Sequence, residues 1–257
     1  MALAEQTAQL ARRSVVRTAR QPANVIGPFI FPLLLLAVNT GGLDRAAEIP
    51  GFPTDSFLAF ALAVPFIQGA LFATMNAGTD LARDIQTGFL NRLSLTPMRS
   101  LALLTGQLGG VAATGLTQAV VYLTVGLAVG VRPASGIPGM VVLLVLSGLI
   151  ALAFGALGAF AALRTGSGEA VQGLFPVLFV GLFLSSMNMP RNLIEIDWFR
   201  TVATLNPVSY LLEAVRSLII VGWDPEALAL GFGFAIAIGI VGITASSWAL
   251  QRRLTRT

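Results

Sequence analysis

The feature that most limits this chain is the repeated absence of charge over lengths that match a lipid bilayer. Six stretches of 19 to 31 residues, at 22–40, 57–79, 101–131, 138–163, 170–189 and 227–251, contain no Asp, Glu, Lys or Arg. A hydrocarbon core of about 30 Å is crossed by about 20 helical residues, and a helix satisfies its own backbone hydrogen bonds without water. Each stretch therefore predicts a transmembrane helix, and the third is long enough to tilt or to begin in the interface. A seventh apolar run, 208–221, has 14 residues and includes Glu213 and Arg216. It is too short and too charged to span and reads as a re-entrant or interfacial helix. Composition agrees: of 257 residues, 55% are hydrophobic and 11% charged, where a soluble domain carries about a quarter charged residues. The fold class is all-α, a polytopic membrane protein with six transmembrane helices in one domain spanning 1–257.

Arginine placement sets the orientation. Six spans put both termini on one side, which collects Arg12, Arg13, Arg17, Arg20, Arg83, Arg92, Arg99, Arg164, Arg252, Arg253 and Arg256. These eleven arginines face four acids there (Glu5, Asp80, Asp84 and Glu169), a net of +7, while the other side holds five arginines and eight acids, a net of −3. Basic residues accumulate on the cytoplasmic side, so both termini are expected in the cytoplasm and the protein in the plasma (inner) membrane. The overall charge of +4 is then topology rather than affinity for nucleic acid. The N-terminal twenty residues are too long for a signal-peptide charged region, and no A-x-A site follows Val38. With Leu3, Leu10 and Val15 or Val16 toward lipid, 2–20 read as an interfacial helix, the alternative being a disordered basic tail.

What the chain lacks removes whole classes of chemistry. It has no cysteine and no histidine, hence no disulfide framework, no Cys/His metal site and no imidazole base. All sixteen basic residues are arginine, so there is no P-loop lysine and no Schiff-base lysine. If ATP drives its work, another chain binds the ATP. No Asp, Glu, Arg or Lys lies away from the ends of the six spans, which argues against proton coupling. The Thr165–Gly168 sequence TGSG reads as a turn. Polar residues left within the spans mostly hydrogen-bond between helices. Candidates to line a translocation path are Gln68, Phe72, Asn76, Gln118, Gln172 and Asn188.

The connection 80–99 reads DLARDIQTGFLNRLSLTPMRS through residue 100 and is amphipathic, with helical spacing from 80 to 95. Thr96-Pro97 closes it, since proline cannot continue a helix and disfavours the α-region before it. Such a helix suits docking on a soluble partner, or merely turning the chain at the interface. Further on, Asn206-Pro207 is spaced to start a turn or cap a helix, and Glu213 and Arg216, three apart, are spaced to pair.

Two motifs carry a resemblance. The loop has Arg83-Asp84, then Gly88-Phe89-Leu90-Asn91-Arg92-Leu93, then Thr96-Pro97; before the last span stands Asn206-Pro207-Val208-Ser209-Tyr210, followed by Arg216. In these and in span number the chain resembles the membrane (permease) subunits of type-2 ABC exporters, in particular the daunorubicin/drug-resistance branch. Asn91, Gln86 and Thr87 make the loop less acidic than is usual there. The resemblance implies a permease without its own ATP site that pairs with a second six-span subunit, identical or a paralogue. It also implies a separate ABC-type ATPase that holds ATP and Mg²⁺. Residues 83–95 would be the coupling helix, with Arg83, Asp84, Gly88, Phe89, Leu90, Arg92, Leu93 and Pro97 on the ATPase. Residues 2–20 would be the connecting helix, and 190–224 extracellular re-entrant helices gated by Asn206, Pro207, Tyr210 and Arg216. An uncharged interior suits a hydrophobic or amphipathic cargo, drug-like or lipid. Polysaccharide or glycolipid export by the same machinery, and a stand-alone secondary transporter or channel, are the alternatives.

Overall fold

The computed structural model describes residues 22–88 and 100–254, and these are all-helical, with no strand among them. The first helix, α1, is Pro22–Leu43, followed by a 3₁₀ turn Asp44–Glu48. The second predicted span is two helices: α2, Phe57–Ala61, capped by the Ser56 hydroxyl, and α3, Ala63–Gln86. The break has a local cause. Pro65 has no N–H, and its ring crowds the carbonyl four residues back, that of Ala61, where α2 stops. Helices α4 (Ser100–Ala128) and α5 (Gly136–Thr165) follow. Then come α6 (Gly168–Gln172) and α7 (Phe175–Phe183), a 3₁₀ turn Arg191–Leu193, and α8 (Asp197–Leu205). The last elements are α9 (Pro207–Arg216), a π turn Ser217–Val221 and α10 (Pro225–Leu254).

Five helical segments are long and apolar enough to cross a membrane: Gly27–Glu48, Phe57–Gln86, Leu104–Ala128, Gly136–Thr165 and Pro225–Arg253. The count becomes six if Asp197–Leu205 and Pro207–Val221, bent by 79° at Asn206, are taken as one span. The predicted fifth span, 170–189, is not one helix. It breaks between Gln172 and Phe175 and ends at Phe183. Pro176 acts on Gln172 as Pro65 acts on Ala61, again four residues back.

A second correction concerns the loop after α3. Amphipathic spacing predicted one helix from 80 to 95, and the helix ends at Gln86 instead. The Thr87 N–H bonds back to the Arg83 carbonyl at 2.9 Å, and Gly88 takes φ +69°, the left-handed conformation that terminates helices. Arg83 and Asp84 therefore belong to the end of α3. The rest of the predicted coupling helix, with Phe89, Leu90, Arg92, Leu93 and Pro97, and the predicted interfacial helix 2–20, lie outside the described residues.

Helix α3 is the centre of the bundle, with most of its residues from Ala63 to Asp84 buried. It meets α5 almost backbone to backbone. A Cβ on Gly158 would stand 2.1 Å from the Thr74 carbonyl oxygen, so only glycine permits that approach. The bundle has two distinct ends. At one, the ends of α3, α5 and α10 meet: Gln86 Nε2 donates to the Gly166 carbonyl at 3.1 Å, and Arg253 Nη1 to the Leu163 carbonyl at 2.9 Å. At the other, residues 134–135 pair through backbone hydrogen bonds with 218–219, and the Ser135 hydroxyl donates to the Leu218 carbonyl at 2.7 Å. These are called below the Gln86 end and the Ser135 end.

Candidate functional site

Three places collect the residues singled out by the sequence. At the Gln86 end, Arg83 is exposed and Asp84 buried on the last turn of α3, and Gly88 follows in the turn. The TGSG sequence is a turn, as expected, and also a junction. Gly166 ends α5 with φ +69° and its carbonyl holds Gln86, while Arg253 from α10 lies close against it. Beside it, Trp248 has the Arg252 guanidinium 3.9 Å and the Arg164 guanidinium 5.7 Å from its ring centre. An aromatic ring ringed by arginines is the composition of a membrane–water boundary.

The second place is the bent segment at the Ser135 end. Asn206 is both cap and staple: its Oδ1 accepts from the Val208 N–H at 3.0 Å, and its Nδ2 donates to the Gly181 and Leu184 carbonyls at 2.6 and 3.1 Å. It thereby satisfies carbonyls that the end of α7 leaves orphaned. Pro207 occupies the first helical position, where its missing N–H costs nothing. The Tyr210 hydroxyl donates to the Thr204 carbonyl at 2.8 Å, fixing the angle between α8 and α9, and its ring stacks on Phe234 of α10 at 4.7 Å.

Arg216 sits deeper. It is 4% exposed, and its guanidinium donates through Nε to the Phe60 carbonyl at 3.1 Å, through Nη1 to Ser186 at 2.5 Å, and through Nη2 to Met187. It also lies 3.6 Å from the centre of the Phe60 ring. The anticipated Glu213–Arg216 pair does not form. Glu213 instead takes a two-pronged ion pair from Arg191, Nε to Oε1 at 2.7 Å and Nη2 to Oε2 at 2.5 Å. Arg191 also covers the Tyr210 ring at 4.4 Å. Sequence reasoning missed Arg191; 22 residues separate it from Glu213, and no local spacing marks it. Between α8, α9 and the Arg191–Leu193 turn lies a cavity of about 530 Å³, lined among others by Phe60, Arg191, Arg200, Thr204, Arg216 and Val221.

The third place is where the path candidates fall, and the structure does not bring all six together. Gln68 and Gln118 are fully buried, and none of their side-chain polar atoms has a partner among the described residues. Asn76 lines a narrow cleft between α3 and α4 with Ala73 and Gln107. Gln172 and Asn188 are exposed, one before α7 and one after it. Phe72 is part of something larger. Its ring lies 6.0 Å from Phe31 of α1 and 5.3 Å from Phe175 of α7, and the contacts continue to Phe179 at 4.5 Å and Phe183 at 6.2 Å. This aromatic run joins three helices along a face that stays open: Phe31 and Phe183 are exposed, as are Val177 and Val180 of α7. The i, i+4 repeat of Phe175, Phe179 and Phe183 was the signal that could have found it.

Comparison with known proteins adds a family. A family model described as ABC-2 type transporter matches residues 5–220. The chain is 27% identical over 245 residues to DrrB1, named a daunorubicin resistance ABC transporter permease protein, of Streptomyces coeruleorubidus, covering 91% of this chain and 81% of the relative. It is 26% identical over 211 residues to DrrC of Mycobacterium tuberculosis, named for doxorubicin resistance, covering 82% of this chain and 75% of that one. A chain named as a transport permease, ycf38 of Pyropia yezoensis, is 29% identical over 84% of this chain and 74% of its own length.

Proposed function

The chain belongs to the ABC-2 type transporter family, and on that premise we propose that it is the membrane subunit of an exporter moving a hydrophobic or amphipathic molecule, drug-like or lipid. The observation that carries this is the aromatic run Phe31–Phe72–Phe175–Phe179–Phe183, an open face that crosses α1, α3 and α7 without an ionisable side chain. Such a face offers rings to an apolar cargo and no counter-charge to a buried ion.

In this proposal the Gln86 end is cytoplasmic, with both termini. A separate ABC-type ATPase, holding ATP and Mg²⁺, docks on Arg83, Asp84, Gly88 and the segment 89–99. Gly168–Phe183 serves as the fifth span, shortened at Phe183 because the segment 197–221 dips in from outside to meet it. Asn206 and Pro207 form the tip of that re-entrant pair, and Tyr210 and Arg216 hold it as the outer gate. A second six-span subunit covers the aromatic face, and the cargo passes between the two. Closure of the ATPase pushes the end of α3, and the junction Gln86–Gly166–Arg253 carries that push to α5 and α10.

The test is reconstitution in liposomes with an ABC-type ATPase partner. ATP-dependent efflux of an apolar dye is expected, and Gly88→Arg with Leu90→Asp is expected to abolish it while leaving the chain folded. Gradient-driven transport by this chain alone, or undiminished efflux in the double variant, would overturn the proposal.

A further inference from the structure

At the Gln86 end, α10 finishes in a cluster of hydrogen-bond donors drawn from two helices. Ile236, Ile240, Thr244 and Trp248 recur every four residues, so they share one face of α10, and all four are exposed. The Thr244 hydroxyl donates back to the Ile240 carbonyl at 2.7 Å, which leaves that face apolar down to the indole. The next position at the same spacing is Arg252. Its guanidinium lies 3.9 Å from the centre of the Trp248 ring, and that of Arg164, from the last turn of α5, lies 5.7 Å from it. Arg253 is used differently: its Nη1 donates to the Leu163 carbonyl at 2.9 Å and closes the end of α5. Arg164 pairs with no carboxylate among the described residues; Glu169, the acid nearest to it in sequence, accepts from the Ser167 hydroxyl instead. The Trp248 indole N–H also has no partner among them. A guanidinium set against an aromatic ring uses its face and keeps its in-plane N–H groups for an anion.

We propose that Arg164, Trp248 and Arg252 bind the headgroup of an anionic phospholipid, its acyl chains lying along the face from Ile236 to Trp248. Two guanidinium groups and an indole N–H offer donors only, the complement of phosphate oxygens. The helix leading to them carries no ionisable side chain from 227 to 251, which suits acyl chains, and tryptophan beside arginine marks the depth where chain meets headgroup. A second copy of the chain is the poorer occupant of this face. Copies related by an axis along the membrane normal meet with their Gln86 ends level, which would bring both pairs of arginines together, and like charges repel. A phospholipid brings the opposite charge. Held there, it bridges the ends of α5 and α10, the two helices that the Gln86–Gly166–Arg253 junction ties to α3.

Lipid binding needs neither the ATPase nor transport, so its outcome is separate from that of the efflux test. The chain has three tryptophans, and Trp198→Phe with Trp223→Phe leaves Trp248 as the sole reporter. This full chain is reconstituted in phosphatidylcholine vesicles with rising amounts of phosphatidylglycerol or phosphatidylcholine whose acyl chains are brominated near the glycerol. Bromine quenches tryptophan on contact, so the two series give the relative affinity of the two lipids at Trp248. An arginine near an anionic headgroup is worth about fivefold in binding, so phosphatidylglycerol is expected to bind at least about tenfold more tightly than phosphatidylcholine. Arg164→Gln, at an exposed position whose side chain makes no hydrogen bond among the described residues, is expected to fold and to lower that ratio about fivefold. Adding Thr165→Arg to Arg164→Gln restores the net charge on another side of the helix, and the ratio is expected to stay low. The chain with Trp223 as sole reporter, exposed at the other end beside Asp224, is expected to show no preference. Equal quenching by the two lipids at Trp248, or a ratio unchanged by Arg164→Gln, overturns the site. So does a ratio restored by Thr165→Arg, which would assign the preference to diffuse surface charge, or an equal preference at Trp223.

Discussion

Removing the Arg216 guanidinium would strand the carbonyls of Phe60, Ser186 and Met187 in a buried place. A buried acceptor left without a partner costs about 1–3 kcal/mol, so Arg216→Met is expected to cost about 3 kcal/mol or more. Arg216→Lys keeps the charge, yet an ammonium at the end of a flexible stem cannot reproduce a planar fork bonded to three fixed oxygens. Both variants are expected to lower the unfolding temperature in detergent, lysine less than methionine. A lysine variant as stable as the parent would show that charge alone is needed there. The sequence marked Arg216 through its place after Asn206-Pro207 and Tyr210, but misassigned its partner. Helical spacing offered Glu213 three residues away, whereas the real partners lie 29, 30 and 156 residues off. Local periodicity carries no information about carbonyls on other helices.

At the scale of elements, the helices that cross were legible because lack of charge over a bilayer's length leaves few alternatives. Their interruptions were legible only in part: Pro65 and Pro176 each stand four residues after a helix end, whereas Pro28 and Pro32 lie inside an unbroken α1. The left-handed Gly88 was harder to see, since amphipathic spacing runs through it unbroken. How helices pack is decided by still smaller features. Gly158 allows α5 to touch the α3 backbone at Thr74, and a methyl there would meet a carbonyl oxygen that cannot rotate away. Gly158→Ala is therefore expected to force α3 and α5 apart and to cost about 1–3 kcal/mol, the range for overpacking a close contact. Gly233 of α10 supplies the control, because a Cβ there meets nothing within 4 Å. Gly233→Ala is expected to be neutral or to stabilise by up to about 1 kcal/mol through helix propensity. Thermal unfolding of the two variants side by side checks both. Equal effects would mean that the α3–α5 contact is looser than the geometry gives.

The whole molecule is asymmetric in what it covers. Helix α3 is buried nearly all round, whereas α7 shows Val177, Val180 and Phe183 at 66%, 56% and 51% exposure, next to the aromatic run. Lipid could cover such a face, and so could a second copy of the chain, with opposite consequences for the path. Against lipid, the aromatic run faces only acyl chains and encloses nothing. Against a second subunit, two such runs bound a shared apolar passage, and neither subunit alone has a path to offer. The total absence of cysteine makes the alternatives easy to separate, since Val180→Cys gives a chain with a single thiol on that face. In native membranes under mild oxidation the variant is expected to form a disulfide-linked species at twice the monomer mass. Gly233→Cys, on α10, is expected to remain monomeric under the same treatment. A Val180→Cys thiol that reacts with a lipid-soluble maleimide but never crosslinks would remove the identical-copy arrangement, and a crosslink from Gly233→Cys instead would move the interface to α10.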